Sequence, residues 1–145
     1  MSSLRPKVNS MNTISIPRTL ANQILSQAQQ HPGTEACGLV SAHNGQPKQI
    51  YPVHNVAKDP QHLFEMDPAI LINSIKDMRN QGNELFAIYH SHPDTPAQPS
   101  ATDLAQANYP DTLYLIVSLN TKGVLEMRGF YLRQQHIEDV ELVIV

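Results

Sequence analysis

This chain of 145 residues has one cysteine and no tryptophan. A lone cysteine excludes an internal disulfide and any zinc site built on several thiolates, and it fits a reducing compartment. Long apolar runs are missing as well: no segment reaches the roughly 18 residues that read as a membrane-spanning helix. Lysine and arginine do not cluster, and 10 basic against 13 acidic residues leave a formal net charge of −3. That balance offers no electrostatic footprint for nucleic acid and no basic patch for a membrane surface. The opening segment MSSLRPKVNS carries no apolar stretch of the signal-peptide kind. It reads as the start of a disordered tail over residues 1–12, and the protein is expected in the cytoplasm.

What is present suits one globular domain over residues 13–145, large enough to bury roughly two thirds of its unfolded surface. Pro17 fits the first turn of a helix over 17–30, with Leu20, Ile24, Leu25 and Ala28 on one face, and His31-Pro32-Gly33 stops it. Residues 37–42 and 49–53 read as strands of a hairpin turning through Asn44-Gly45. A polar loop over 54–61 leads to a short strand over 62–66. Asp67-Pro68 then supplies an N-cap and first position for a helix whose stripe is Ile70, Leu71, Ile75 and Met78. Strands follow over 85–90, 113–119, 124–132 (entered through a Lys122-Gly123 turn) and 137–145, with a short helix over 100–108. The 113–119 run is apolar throughout, as in a central strand buried on both faces. Interleaved helices and strands of this kind give an α/β layer structure around a mixed sheet.

The chemistry concentrates in His90-Ser91-His92, with Ser100 and Asp103 following across a loop that holds Pro93, Pro96 and Pro99. On a strand, period two points both imidazoles to the same side. Seven histidines in this length make some His-x-His expected by chance about one time in three, so the pair alone says little. Adding Ser91, Ser100 and Asp103 at their spacings lowers that expectation below about one in ten thousand. Three N/O ligands and no cysteine suit a catalytic zinc that keeps one position open. Plainer readings exist beside this one. The two histidines also fit a core and a surface residue, and Ser100-x-x-Asp103 is a capping box for the helix that follows. Capping and ligation are compatible, because a helix N-terminus is a rigid place from which to present a carboxylate. Cys37 reads as a small buried hydrophobe rather than a nucleophile, since nucleophilic catalysis would need a base beside it. His31, His43, His54, His62 and His136 read as surface residues, with His54 and His62 on a loop that is a candidate border of the cleft.

His90-Ser91-His92, seven residues, Ser100, two residues and Asp103 together resemble the signature of the JAMM/MPN+ zinc metalloproteases, and Glu35 in Glu35-Ala36-Cys37-Gly38-Leu39-Val40 matches that family's upstream glutamate. The resemblance covers most of the chain and implies a three-layer α/β/α fold with a central mixed sheet, of the MPN/JAMM, cytidine-deaminase-like kind. It implies that His90, His92 and Asp103 hold one zinc, that Glu35 is the general acid/base, and that Ser100 stabilises the oxyanion. The implied reaction is hydrolysis of an amide or isopeptide bond. The short chain resembles the small prokaryotic members, which act on ubiquitin-like sulfur-carrier proteins ending in Gly-Gly, releasing an amino acid or cleaving conjugates. A Gly-Gly tail would add along a cleft edge formed by the 55–66 segment. The family often pairs domains, so a homodimer is expected. Two other classes stay open: a zinc peptidase for unrelated peptides, and a non-catalytic MPN-type interaction module. A nucleoside deaminase is excluded, because its H-x-E and P-C-x-x-C signature needs more than one cysteine.

Overall fold

The structure, a computed structural model, describes residues 13–120 and 126–145. The tail 1–12 and the turn expected at Lys122-Gly123 lie outside the described residues. In chain order the elements are β1 (Thr13–Ile16), α1 (Arg18–Gln30), β2 (Cys37–His43), β3 (Gln46–Val53), α2 (Pro68–Asn80), β4 (Glu84–His92), α3 (Ala101–Gln106), β5 (Leu113–Ser118), β6 (Glu126–Arg133) and β7 (His136–Ile144). The strands make one mixed sheet in the order β1-β7-β6-β5-β4-β2-β3.

Local chemistry explains most of these boundaries. Pro17 lies at ψ 136°, so it flanks α1 from outside instead of occupying its first turn. The exposed Arg18 N–H is taken up by the Val145 carbonyl at 2.8 Å, which satisfies one donor the helix cannot. The β2–β3 hairpin turns on Asn44 and Gly45 at φ 50° and 79°, the pair of positive values a two-residue turn of this hand requires. Asp67 caps α2 by accepting the N–H groups of Ala69 at 2.9 Å and Ile70 at 3.3 Å.

Beyond shifted element boundaries, two features depart from the sequence expectations. β1 was not anticipated: it pairs in parallel with β7, Thr13 opposite Glu141 and Ile16 opposite Ile144. The strand expected over 62–66 does not form; only an isolated bridge joins Asn55 to Met66. The Leu63 carbonyl and the Glu65 N–H of that segment are bonded instead by the Asn55 side chain, while His62 and Leu63 N–H donate to the Asp59 carbonyl.

The sheet separates two apolar layers. On one face, Leu20, Ala21, Ile24 and Ala28 of α1 pack over Val40, Ala87, Tyr89, Leu115 and Val117. On the other, Met78, Leu71 and Ile75 of α2 and Leu104 of α3 cover Leu39, Ile88, Ile116 and Phe130. The fold is therefore the three-layer α/β/α arrangement with a mixed central sheet. Every residue of β5 is buried. β4 lies between β2, antiparallel, and β5, parallel, so its carboxyl end opens where a crossover through α3 leaves the sheet.

Candidate metal and catalytic site

β4 runs two residues further than expected, to His92, and ends in six consecutive buried residues. His90 and His92 point to the α2/α3 side, the side of Ile88, as period two demands. The loop after them is pinned to β5: Ser118 Oγ donates to the Thr95 carbonyl at 2.7 Å, and Leu119 N–H to the His92 carbonyl at 3.0 Å. That loop delivers α3, whose capping box forms in both directions. Asp103 N–H donates to Ser100 Oγ at 3.0 Å, and Ser100 N–H donates to Asp103 Oδ2 at 2.9 Å. The cap thus fixes the orientation of the carboxylate and turns it toward the histidines.

The resulting geometry brings His90 Nε2 and His92 Nε2 to 3.2 Å, with Asp103 Oδ2 3.1 Å from each. In the absence of a cation, protons on the two imidazoles can be donated to Asp103 Oδ2; a small cation among the three atoms would engage all three lone pairs at once. Ligands about 2.0–2.1 Å from a tetrahedral zinc stand about 3.3 Å apart, close to these spacings. His92 Nδ1 lies 2.9 Å from the Pro96 carbonyl, which can only accept. The ring therefore carries its proton on Nδ1 and leaves Nε2 free to ligate, the usual tautomeric control at a metal. Phe64 stacks on His90, with centroids 4.5 Å apart, and fixes the second ring from outside.

Glu35 joins this cluster through non-local pairing. Cys37 stands opposite His90 in the β2–β4 ladder. Beyond the ladder, Ala36 N–H donates to Ser91 Oγ and Ser91 N–H to the Ala36 carbonyl, both at 2.9 Å. Glu35 N–H donates to the Pro60 carbonyl at 2.7 Å, and Asn55 Nδ2 donates to the Glu35 carbonyl at 3.0 Å. With its backbone held this way, Glu35 offers a carboxylate oxygen within 4.8 Å of the ligand atoms of His90, His92 and Asp103. All four residues are buried.

The buried polar atoms left without a partner among the described residues are Glu35 Oε1 and His90 Nδ1, both in this cluster. Burial, reinforced by the negative charge of Asp103, pushes the Glu35 carboxyl up to about 8. Burial likewise lowers His90 below the usual imidazole range. For His92, burial acts downward, but hydrogen bonding to Asp103 and to the Pro96 carbonyl outweighs it and the ring is raised. Asp103 feels burial upward, yet hydrogen bonds from both imidazoles and from Ser100 N–H hold it well below the ordinary carboxylate range. The pattern is one ionised carboxylate and one proton-holding carboxylate around two imidazole nitrogens.

All five residues singled out in the sequence, Glu35, His90, His92, Ser100 and Asp103, converge here. Cys37 does not join them: it is buried with its thiol directed to the Val53 carbonyl, and burial pushes it up to about 12. His62 pairs with Asp59 at 3.0 Å on the surface. Sequence reasoning offered the 55–66 segment as a cleft edge but missed the individual roles of Asn55 and Phe64, which lie on irregular backbone, and the bonds of Ser91 to Ala36, which lies 55 residues away. A cleft of about 460 Å³ leads away from His90 and Asp103, between Phe64 and Met66 on one wall, Leu71 and Ile75 of α2, and Tyr109 beyond α3.

Comparison with known proteins agrees with this geometry. The family of prokaryotic homologs of the JAB domain matches residues 17–130. The chain is 32% identical over 111 residues to a desampylase of Haloferax volcanii, covering 72% of this chain and 80% of that one. It is 31% identical over 94 residues to a probable TtuB-protein conjugate cleaving protease of Thermus thermophilus, covering 65% and 63%. A solution structure of a Desulfitobacterium hafniense protein superimposes with a TM-score of 0.82 at 32% identity, covering 91% of this chain and 92% of that one.

Proposed function

The chain belongs to the family of prokaryotic homologs of the JAB domain, the small prokaryotic JAMM/MPN+ proteins, and from that premise we propose that it is a zinc metalloprotease hydrolysing an amide bond at the C-terminus of a ubiquitin-like protein. The observation that carries this reading is the buried group Glu35, His90, His92 and Asp103, with the last three mutually 3.1–3.2 Å apart. Residues 13–145 form the catalytic domain in this reading.

His90 Nε2, His92 Nε2 and Asp103 Oδ2 would hold one zinc per chain. Zinc bound there supplies positive charge and Lewis acidity, which acidify water, polarise a carbonyl and favour the ionised form of Glu35. Glu35 acts as general base, taking the proton of the attacking water on its carboxylate and returning it to the leaving amine. Its freedom from any hydrogen-bond partner at Oε1 supports that role. Ser100 Oγ already accepts the Asp103 N–H, so its own O–H proton is free to donate to the developing oxyanion. The Pro96 carbonyl and the Phe64 ring keep the two imidazoles from turning.

The substrate we propose is a sulfur-carrier type protein with a Gly-Gly tail, either extended by an amino acid or joined to a second protein. The apolar walls of the cleft suit an extended tail whose side chains pack on Leu71, Ile75 and Met66, with the side-chain-free Gly-Gly pair beside His90. A homodimer and a cytoplasmic location complete the reading. Gel filtration tests the first, and the single, unpaired Cys37 supports the second.

A single-turnover cleavage assay on a Gly-Gly-tailed carrier, with zinc measured on the same samples, tests the proposal. Glu35→Gln should fold, keep its zinc and still bind the carrier, while cleavage falls at least about a hundred-fold. A variant as fast as the parent removes Glu35 from the role. Equal activity on short unrelated peptides points to a general peptidase. A parent that binds the tail and never cleaves it belongs to the interaction modules.

A further inference from the structure

Asn55 is a half-buried side chain whose amide is used at both ends. Its Nδ2 group donates to the Glu35 carbonyl at 3.0 Å and the Leu63 carbonyl at 3.1 Å. Its Oδ1 atom accepts the N–H groups of Ala57 and Glu65, each at 3.0 Å. One carboxamide therefore supplements the sparse backbone pairing of the 62–66 segment, in which Val56 N–H donates to the Glu65 carbonyl at 2.8 Å. The same segment supplies Leu63, Phe64, Glu65 and Met66 to the cleft, and Phe64 stacks on His90. A second link runs from the loop to the glutamate, because Glu35 N–H donates to the Pro60 carbonyl at 2.7 Å.

We propose that Asn55 is a positioning residue that couples occupancy of the cleft to the placement of Glu35. The coupling rests on the reading of Glu35 as the proton carrier. A tail side chain seated against Phe64 and Met66 presses on a loop tied to the peptide of Glu35 at the Pro60 carbonyl and, from the 63–65 stretch that carries Phe64, through the Asn55 amide. Binding energy gained remote from the scissile bond is then expressed as correct placement of the base. Substrates lacking that side chain lose turnover as well as affinity. The carbonyl of Glu35 is the point of attachment, so loosening it moves the carboxylate, while His92 and Asp103 keep their own anchors at the Pro96 carbonyl and the Ser100 N–H.

The test uses two carrier fusions that differ only in the four positions before Gly-Gly, leucines in one and glycines in the other. Asn55→Asp keeps an acceptor for Ala57 and Glu65 while removing the donor to Glu35 and Leu63. The parent should lose at least about ten-fold in kcat between the leucine and glycine tails. Asn55→Asp should start at least about ten-fold lower on the leucine tail, with zinc content unchanged, and lose less than about two-fold in kcat between tails. KM should rise on the glycine tail for both proteins. Should Asn55→Asp fail to fold, Asn55→Ser, whose single short hydroxyl cannot both accept the loop N–H groups and reach the Glu35 carbonyl, carries the same expectation. Equal kcat losses in parent and variant overturn the coupling, as does a parent whose tail series changes KM alone. A parent that cleaves neither fusion overturns the functional reading itself, whatever the variants do.

Discussion

Ser91 and Ala36 exchange two hydrogen bonds, Ala36 N–H to Ser91 Oγ and Ser91 N–H to the Ala36 carbonyl, each 2.9 Å long. The serine does this from the face of β4 opposite its two histidines, so one tripeptide serves two purposes. Its outer members present imidazoles, and its centre extends the strand pairing to the residue after Glu35. The side-chain bond lies where the β2–β4 ladder has ended, and it replaces the carbonyl that a further ladder residue would have offered.

Ser91→Ala leaves the Ala36 N–H buried and unpaired, which costs about 1–3 kcal/mol. The expected outcome is a lower Tm with zinc content unchanged, since neither histidine moves. Cleavage should fall by roughly ten-fold because the Glu35 peptide loses one anchor. Ser91→Thr, which keeps the hydroxyl, should recover most of that rate. Thermal melts and single-turnover rates on the same preparations decide it; full activity in Ser91→Ala would show that the ladder, Asn55 and Pro60 position Glu35 without this serine.

Zinc content separates the ligands from the cap. His92→Ala and Asp103→Ala each remove one of the three atoms standing 3.1–3.2 Å apart, and each should lose most of the metal. Ser100→Ala removes the N-cap oxygen, at a cost of about 0.5–2 kcal/mol, but keeps the Ser100 N–H that holds Asp103 Oδ2. That variant should retain zinc and lose roughly a hundred-fold or more in turnover if its hydroxyl serves the oxyanion. Metal analysis showing full occupancy in both ligand variants would exclude them, and a Ser100→Ala protein of reduced stability but normal rate would leave Ser100 as a cap only.

Much of this site was legible because its geometry is local. His90 and His92 share a face through the period of a strand, and Ser100 with Asp103 forms a capping box readable from four residues. Glu35 was placed by resemblance, since nothing near it in sequence indicates that Cys37 pairs with His90, 53 residues away. β1 was missed for the same reason: four residues pair in parallel with the far end of the chain. The 62–66 segment was misjudged as a strand because its composition suits one, while the amide of Asn55 and the turn onto the Asp59 carbonyl take up several of its backbone groups instead. Side chains that cap irregular backbone leave no periodic trace.

Gly38 stands opposite Tyr89 in the β2–β4 ladder, and the tyrosine ring lies across the space a Cβ would fill. An added methyl would meet the Tyr89 hydroxyl and come within 2.6 Å of the Tyr51 carbonyl. Tyr89 cannot step aside easily, because its hydroxyl donates to Gln27 Oε1 of α1. Gly38→Ala should therefore cost about 1–3 kcal/mol by overpacking. A Tm lower by roughly 4–10 °C is expected for a domain of this size. An unchanged melt would mean that the β2–β4 layer adjusts more freely than its packing indicates.

Zinc-free protein should show a stability that depends on Glu35 and on pH in one direction. Burial first, and the charge of Asp103 second, raise this carboxyl from 4.5 to about 8 in the folded chain. The folded state then binds the proton more tightly than the unfolded state does. The contribution is present in full below the unfolded value of about 4.5 and is lost as pH rises through about 8. His90, His92 and Asp103 also titrate differently in the two states, so the parent must be compared with Glu35→Gln, in which they remain and only the ionisation of Glu35 is gone. With chelator present, the parent should lose roughly 5 °C more in Tm than Glu35→Gln between pH 5 and pH 8.5. Restoring zinc should close the gap, because a cation favours the ionised carboxylate that burial opposes. Melting curves that run parallel for the two metal-free proteins across this range would show that Glu35 reaches solvent when the metal is absent.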